Sequence, residues 1–129
     1  MASTPAEKIQ ELYVAFREGD LATVERLLAP DVVFHGTEGH RFGGTVQGRD
    51  AFFATFGEMM TLVKAFETDT QAIAGDDTVA FGHNLITVTR LDGSQVQFHN
   101  VTSFRFNDQG QICEAFEATT ADWPSVFAT

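Results

Sequence analysis

A chain of 129 residues with eight basic and eighteen acidic side chains carries a net charge of −10, and 43% of it is hydrophobic, with 13 phenylalanines. That composition excludes a disordered acidic chain, and the acidic balance argues against nucleic acid and anionic membrane as partners, since both require a basic patch. The length predicts one domain with one core over residues 1–129, and Cys113, the only cysteine, rules out an intrachain disulfide and a thiol-rich metal site. No apolar run reaches ~18 residues and no cleavable signal is visible, so a cytoplasmic protein is expected.

In chain order, Ser3 or Thr4 can cap a first helix with Pro5 in its first turn and Glu7 at capping-box spacing from Thr4. Ile9, Leu12, Tyr13 and Phe16 then form one apolar stripe, and Gly19 stops the helix. Asp20 can cap a second helix carrying Leu21, Val24, Leu27 and Leu28, which must end before Pro30. The β-branched stretch Asp31 to His35 reads as a strand, and Gly36 to Gly48, with glycines at 36, 39, 43, 44 and 48, reads as a loop. A third helix begins at Asp50, with Phe52, Phe53, Phe56, Met59, Met60 and Val63 at its apolar positions. From Lys64 to Thr119 the apolar period falls to two, along four runs broken at Gly75-Asp76-Asp77, Leu91-Asp92-Gly93-Ser94 and Asn107-Asp108-Gln109-Gly110. This is the pattern of an antiparallel meander with one buried face. The predicted fold is α+β: three N-terminal helices on a cone-shaped, curved, mostly antiparallel sheet, whose concavity would take a hydrophobic small molecule.

Period two divides each strand into two faces. From Val96 to Phe106 the inner set is Val96, Phe98, Asn100, Thr102, Phe104 and Phe106, which places the polar Asn100 and Thr102 in an apolar row and turns His99 outward. In the preceding strand, Phe81 and Leu85 favour the set that includes His83 as inner, although Ile86 and Val88 make the other side apolar too. That second apolar side, together with Val101, predicts an outer patch that a homodimer would cover. In the last strand Cys113, Ala115, Glu117 and Thr119 oppose Ile112, Glu114, Phe116 and Ala118, and neither set is strongly apolar. In the first strand, Val33 and His35 oppose Val32 and Phe34, and pattern alone does not choose between them.

The run His35 to Phe56, with Phe42-Gly43-Gly44-Thr45-Val46-Gln47-Gly48-Arg49-Asp50 before a Phe-rich helix, resembles the nuclear-transport-factor-two-like superfamily and, within it, the SnoaL-like polyketide cyclase and ketosteroid isomerase branch. Gly75 to Phe81 and Phe104 to Ile112 carry the same resemblance, which extends from Ala6 to Trp123. It implies a single SnoaL-like domain of the cystatin-like α+β barrel type, working without a cofactor and as a homodimer. It also implies that His35 stands where ketosteroid isomerases carry their general-base aspartate, at a strand end opening into the pocket. Imidazole titrates near pH ~6.5 and suits that role. In limonene-epoxide-hydrolase-like members an acid stands where Glu117 stands here, and a carboxyl among phenylalanines would have a raised pKa. The positions of the isomerases' oxyanion-donating Tyr and Asp hold Leu12 and Thr102, with Tyr13 one residue away. The epoxide hydrolases' Arg and Asp are replaced by Leu85 and Thr87, and the cyclases' terminal aromatic pair and Asp by Ala118-Thr119-Thr120.

Two functions fit this reading. One is an isomerase, cyclase, dehydratase or hydrolase acting on a hydrophobic carbonyl or epoxide compound, with His35 as the proton-transfer group, Glu117 or His83 orienting it, and Asn100 donating to an oxyanion. Tyr13, Phe56, Phe81, Phe98, Thr102, Cys113 and Trp123 would complete the ligand-binding wall. The other is a non-catalytic ligand-binding or assembly module of the same fold. His35, Glu38 and His40 are not expected to hold a metal, because a glycine-rich loop lacks the helical register that aligns two imidazoles. The Gly43 to Gly48 stretch lacks the lysine of a phosphate loop.

Overall fold

The computed structural model describes residues 3–37 and 42–127. Helix α1 (Pro5–Glu18) opens on a complete capping box: the Glu7 amide donates to Thr4 Oγ1 at 3.2 Å and the Thr4 amide to Glu7 Oε1 at 3.0 Å. It closes at Gly19, whose φ of 69° lies in the left-handed region that glycine adopts without steric cost. Helix α2 (Leu21–Leu27) is capped by the Asp20 carboxylate, which accepts from the Thr23 amide at 3.2 Å. Strand β1 (Leu28–His35) follows at once, three residues earlier than the Pro30 boundary suggested. Proline cannot donate to a ladder, and the pairing of β1 accordingly breaks register between Leu28 and Val33.

The glycine-rich stretch contains a strand the sequence did not announce, β2 (Thr45–Gln47), antiparallel to β1. Helix α3 (Arg49–Met60) and strands β3 (Val63–Gly75), β4 (Val79–Arg90), β5 (Gln95–Phe106) and β6 (Ile112–Thr119) come next, and a short helix α4 (Trp123–Val126) ends the described chain. The strands form one open sheet in the order β2-β1-β6-β5-β4-β3, antiparallel except where β1 lies parallel to β6. Bulges at Val63/Ala65, Thr70/Ala72 and Arg105/Phe106 add local twist and curl the sheet.

The concave side carries the core in two clusters. Ile9, Leu12, Val24, Leu27, Leu28, Val32, Phe104, Ile112 and Ala115 join α1 and α2 to one end of the sheet. Val63, Ile86, Val88, Phe98, Trp123 and Val126 form the other, beneath α4. Helix α3 buries none of its residues fully, so its Phe and Met face is left to line a hollow. Arg49 fixes where this helix starts. Its Nη1 donates to the carbonyls of Glu25 and Leu28, each at 3.2 Å, and Nη2 stands 3.7 Å from the Glu25 carboxylate. Arg49→Ala should therefore cost about 2 kcal/mol, the scale of hydrogen bonds made by a charged group. A lowered urea midpoint at unchanged m-value checks this, and an unaltered midpoint contradicts it.

Candidate active site

Between the two clusters lies a cavity of about 440 Å³. Its walls are mostly apolar, with Phe16, Phe34, Phe52, Phe56, Met59, Met60, Phe66 and Trp123 among them. The polar groups gather on the sheet side. Tyr13 leans over Gly82 from α1, and Asn84, Asn100, Thr102 and Glu117 rise from β4, β5 and β6. The sheet register explains their convergence, since Asn84 pairs with Asn100, and Gly82 with Thr102, which in turn pairs with Glu117.

Asn100 Nδ2 donates to Glu117 Oε2 at 3.3 Å. Burial holds the Glu117 carboxyl above the usual carboxylate range, and the Asn100 amide offsets only part of that rise. The Tyr13 hydroxyl is pushed up to about 12 by burial, with the nearby Asn84 amide pulling weakly the other way. It is thus a neutral O–H donor at any physiological pH. Tyr13 Oη, Asn84 Oδ1 and Asn100 Oδ1 are buried without a hydrogen-bond partner among the described residues. Unpartnered buried polar atoms are costly and uncommon, and three on one floor point to a ligand or water that satisfies them.

The catalytic arrangement expected from sequence needs correction at its centre. His35 faces away from the cavity: its Nε2 donates to Glu114 Oε2 at 2.9 Å, and its ring stacks on Phe116 with centroids 4.3 Å apart. The inward residue of β1 is its neighbour Phe34, stacked on Phe52 at 4.5 Å. His83 also lies on the outer face, where its Nε2 meets His99 Nδ1 at 3.0 Å, and it orients nothing in the cavity. Phe81 stands beside it, 49% exposed.

The inner set of β4 is therefore Ala80, Gly82, Asn84, Ile86 and Val88, the reverse of the phase chosen from Phe81 and Leu85. Gly82 was the available signal, because a glycine inside a strand often marks another element's close approach, here the Tyr13 ring. Asn84 was missed for the same reason.

Cys113 is displaced by the bulge opposite Arg105 and Phe106, and its thiol donates to the Arg105 carbonyl at 3.5 Å rather than lining the cavity. Burial nonetheless raises that thiol above its ordinary value. Phe98 does not line the cavity but is buried in the second core cluster, edge-on to Trp123 with centroids 5.2 Å apart. Asn100, Glu117, Tyr13, Phe56, Thr102 and Trp123 do line the cavity, and Thr68 and Arg17 join them unforeseen. Glu38 and His40 fall outside the described residues, among which no group of three or more His, Cys, Asp or Glu could hold a metal ion. No helix of the described chain is long and apolar enough to cross a membrane.

The SnoaL-like domain family matches residues 9–115, most of the chain. The protein belongs to that family, an α+β fold with a curved, mostly antiparallel six-stranded sheet. No match is found among the curated proteins. Among solved structures, it is similar to a nuclear-transport-factor-two-like protein of unknown function from Burkholderia pseudomallei, with TM-score 0.88, 23% identity, and coverage of 99% of this chain and 100% of that one. It is also similar to TerC, crystallised with polyporic acid, with TM-score 0.86, 20% identity, and coverage of 98% and 100%. A third is IdmH of Streptomyces antibioticus, a candidate polyketide cyclase, with TM-score 0.78, 22% identity and 96% coverage of both chains. At these identities the likeness shows the fold.

Proposed function

We propose that this protein is an enzyme of acid–base type, acting through its own side chains on a hydrophobic ring compound that carries a carbonyl or epoxide. The observation that carries this reading is the floor of the cavity, where one carboxyl of raised pKa stands among the unpartnered polar atoms of Tyr13, Asn84 and Asn100 inside apolar walls. Glu117 is the proton-transfer group. A carboxyl tuned upward transfers protons nearer neutrality than an exposed one, and Tyr13 with the second N–H of Asn100 can donate to an oxygen on which negative charge develops. Isomerisation, cyclisation, dehydration and epoxide opening all use such a set. Crystallisation of TerC with polyporic acid supports a small-molecule ligand by analogy.

A second reading, a ligand-binding module without turnover, is favoured by the absence of a histidine or second carboxyl among the described lining residues. Incubation with a panel of cyclic ketones and epoxides, followed by mass spectrometry and chiral chromatography, separates the two. Conversion by the wild type that is lost on changing Glu117 is expected, whereas compounds retained unaltered would favour the module.

The outer sheet face supports a homodimer, with a changed membership. Ile86 and Val88 are buried on the inner side, and the exposed apolar side chains are Phe81, Val101 and Phe116, at 49%, 43% and 46%. Phe81 and Phe116 flank Ser103 in one row of the ladder, and Val101 lies one row on, between His83 and Ala118. A contiguous apolar face of this kind is usually covered. Light scattering at micromolar concentration should give a dimer. Val101→Lys, which buries an unpaired charge at the centre of the patch, should weaken association by about 2 kcal/mol or more and yield monomer. A monomeric wild type contradicts the proposal.

A further inference from the structure

We infer that the cavity selects a ring compound bearing an acidic group, which Arg17 at the rim holds while the neutral oxygen functions of the ligand reach the floor. This rests on the cavity being the functional site, and it adds the charge and orientation of what enters.

Arg17 is the one basic side chain among the described lining residues, and it is exposed where the cavity meets solvent. It makes no hydrogen bond or ion pair with another described residue. Most other basic side chains are engaged. Lys8 donates to the Gly110 carbonyl at 2.6 Å, Arg26 pairs with Glu11, Arg49 lies 3.7 Å from Glu25, Arg90 donates to the Ser125 carbonyl at 2.9 Å, and Arg105 lies 3.9 Å from Glu114. In a chain of net charge −10, an unpaired guanidinium on the wall of a cavity is conspicuous. Its place in the last turn of α1 gives it a favourable helix end, which explains a cation there but not its position on the lining.

The floor of the cavity is a poor place for the charge. Burial already disfavours the ionised form of Glu117, and a second anion beside it would pay both desolvation and repulsion. The floor instead offers the O–H of Tyr13 and the amides of Asn84 and Asn100, partners for hydroxyl and carbonyl oxygens. The polarity gradient therefore fixes the direction of entry. The acid faces solvent and Arg17, the rings lie among Phe16, Phe52 and Phe56, and the carbonyl points to the sheet. A guanidinium meets a carboxylate, phenolate or sulfonate through paired N–H donors, so the class is set by charge and planarity.

Two fluorescent probes with the same arylaminonaphthalene skeleton test this without knowledge of the substrate: anionic 1-anilinonaphthalene-8-sulfonate and neutral N-phenyl-1-naphthylamine. Arg17→Gln should weaken the anionic probe about tenfold, a value between those of exposed and desolvated charge pairs, and leave the neutral probe within about twofold. Arg17→Lys should retain most of the anionic affinity, and added salt should weaken the sulfonate alone. Thr102→Trp, which fills the floor, should weaken both probes. Equal effects of Arg17→Gln on both probes, no effect on either, or anionic binding untouched by Thr102→Trp would each overturn the inference. Failure of the catalytic reading, through a Glu117 variant that keeps full turnover, would leave these binding results standing, so the two failures are distinguishable.

Discussion

Glu117→Gln is expected to lower turnover about 100-fold or more, the usual contribution of a positioned general acid or base, while His35→Ala leaves it within about twofold. The contrast follows from the sheet. Glu117 lines the cavity and accepts a hydrogen bond from Asn100, whereas His35 spends its ring on Glu114 and Phe116 across the sheet. Glutamine preserves shape and the Asn100 contact but cannot exchange a proton. The same substitution should be stabilising toward neutral pH. The folded-state pKa of Glu117 is raised above its unfolded value of about 4.3, so the fold binds the proton more tightly than the unfolded chain does. That contribution is fully present below the unfolded value and is lost as pH rises through the folded one. The variant, having nothing to ionise, should gain on the wild type in melting temperature across that window. A variant that loses activity only through unfolding would show the opposite trend.

Gly82→Ala should be the most damaging small change in the sheet. A Cβ there would stand 2.7 Å from Cε2 and Cζ of Tyr13 and closer still to its hydroxyl. The ring has little freedom to retreat, being buried, edge-on to Phe104 at 6.2 Å and carried by a helix anchored through Ile9 and Leu12. Overpacking of this kind costs about 1–3 kcal/mol, or roughly 10 °C in melting temperature for a domain of this size. Activity should fall with it, because the displaced hydroxyl no longer reaches the floor. Adding Tyr13→Leu should recover part of the stability and none of the activity, a coupling that separates the clash from a general weakness of β4. Tyr13 is the only tyrosine, so its phenolate absorbance reads the site directly and should titrate near 12 in the wild type. Unchanged stability in Gly82→Ala would show that α1 packs elsewhere.

The helices, the meander and the inner face of β5 were legible because each rests on a strong local contrast. Phe98, Asn100, Thr102 and Phe104 alternate with Gln97, His99, Ser103 and Arg105, and only one set can be buried. Strand β4 offers no such contrast, since Phe81 and Leu85 on one face are as apolar as Ile86 and Val88 on the other. What decides its phase is tertiary: Tyr13 needs the space above Gly82, and the outer aromatics stand exposed beside His83 and Val101. In β6 the bulge at Cys113 shifts the period, so Ile112 shares the inner side with Ala115 and Glu117 and the thiol leaves it. Strand β1 was too short for its pattern to speak, and the family position assigned to His35 oriented it wrongly. The parallel partnership with β6, which sets His35 opposite Phe116, cannot be read from either strand alone.

If a carboxyl set in an apolar cavity supplies the chemistry, its own titration will show it. Carboxyl carbon shifts followed by NMR over pH, with Glu117 assigned through its Gln variant, should show this one group titrating above the exposed glutamates and responding when a ligand enters. A Glu117 that titrates together with the exposed glutamates, and does not respond to ligand, would contradict the account.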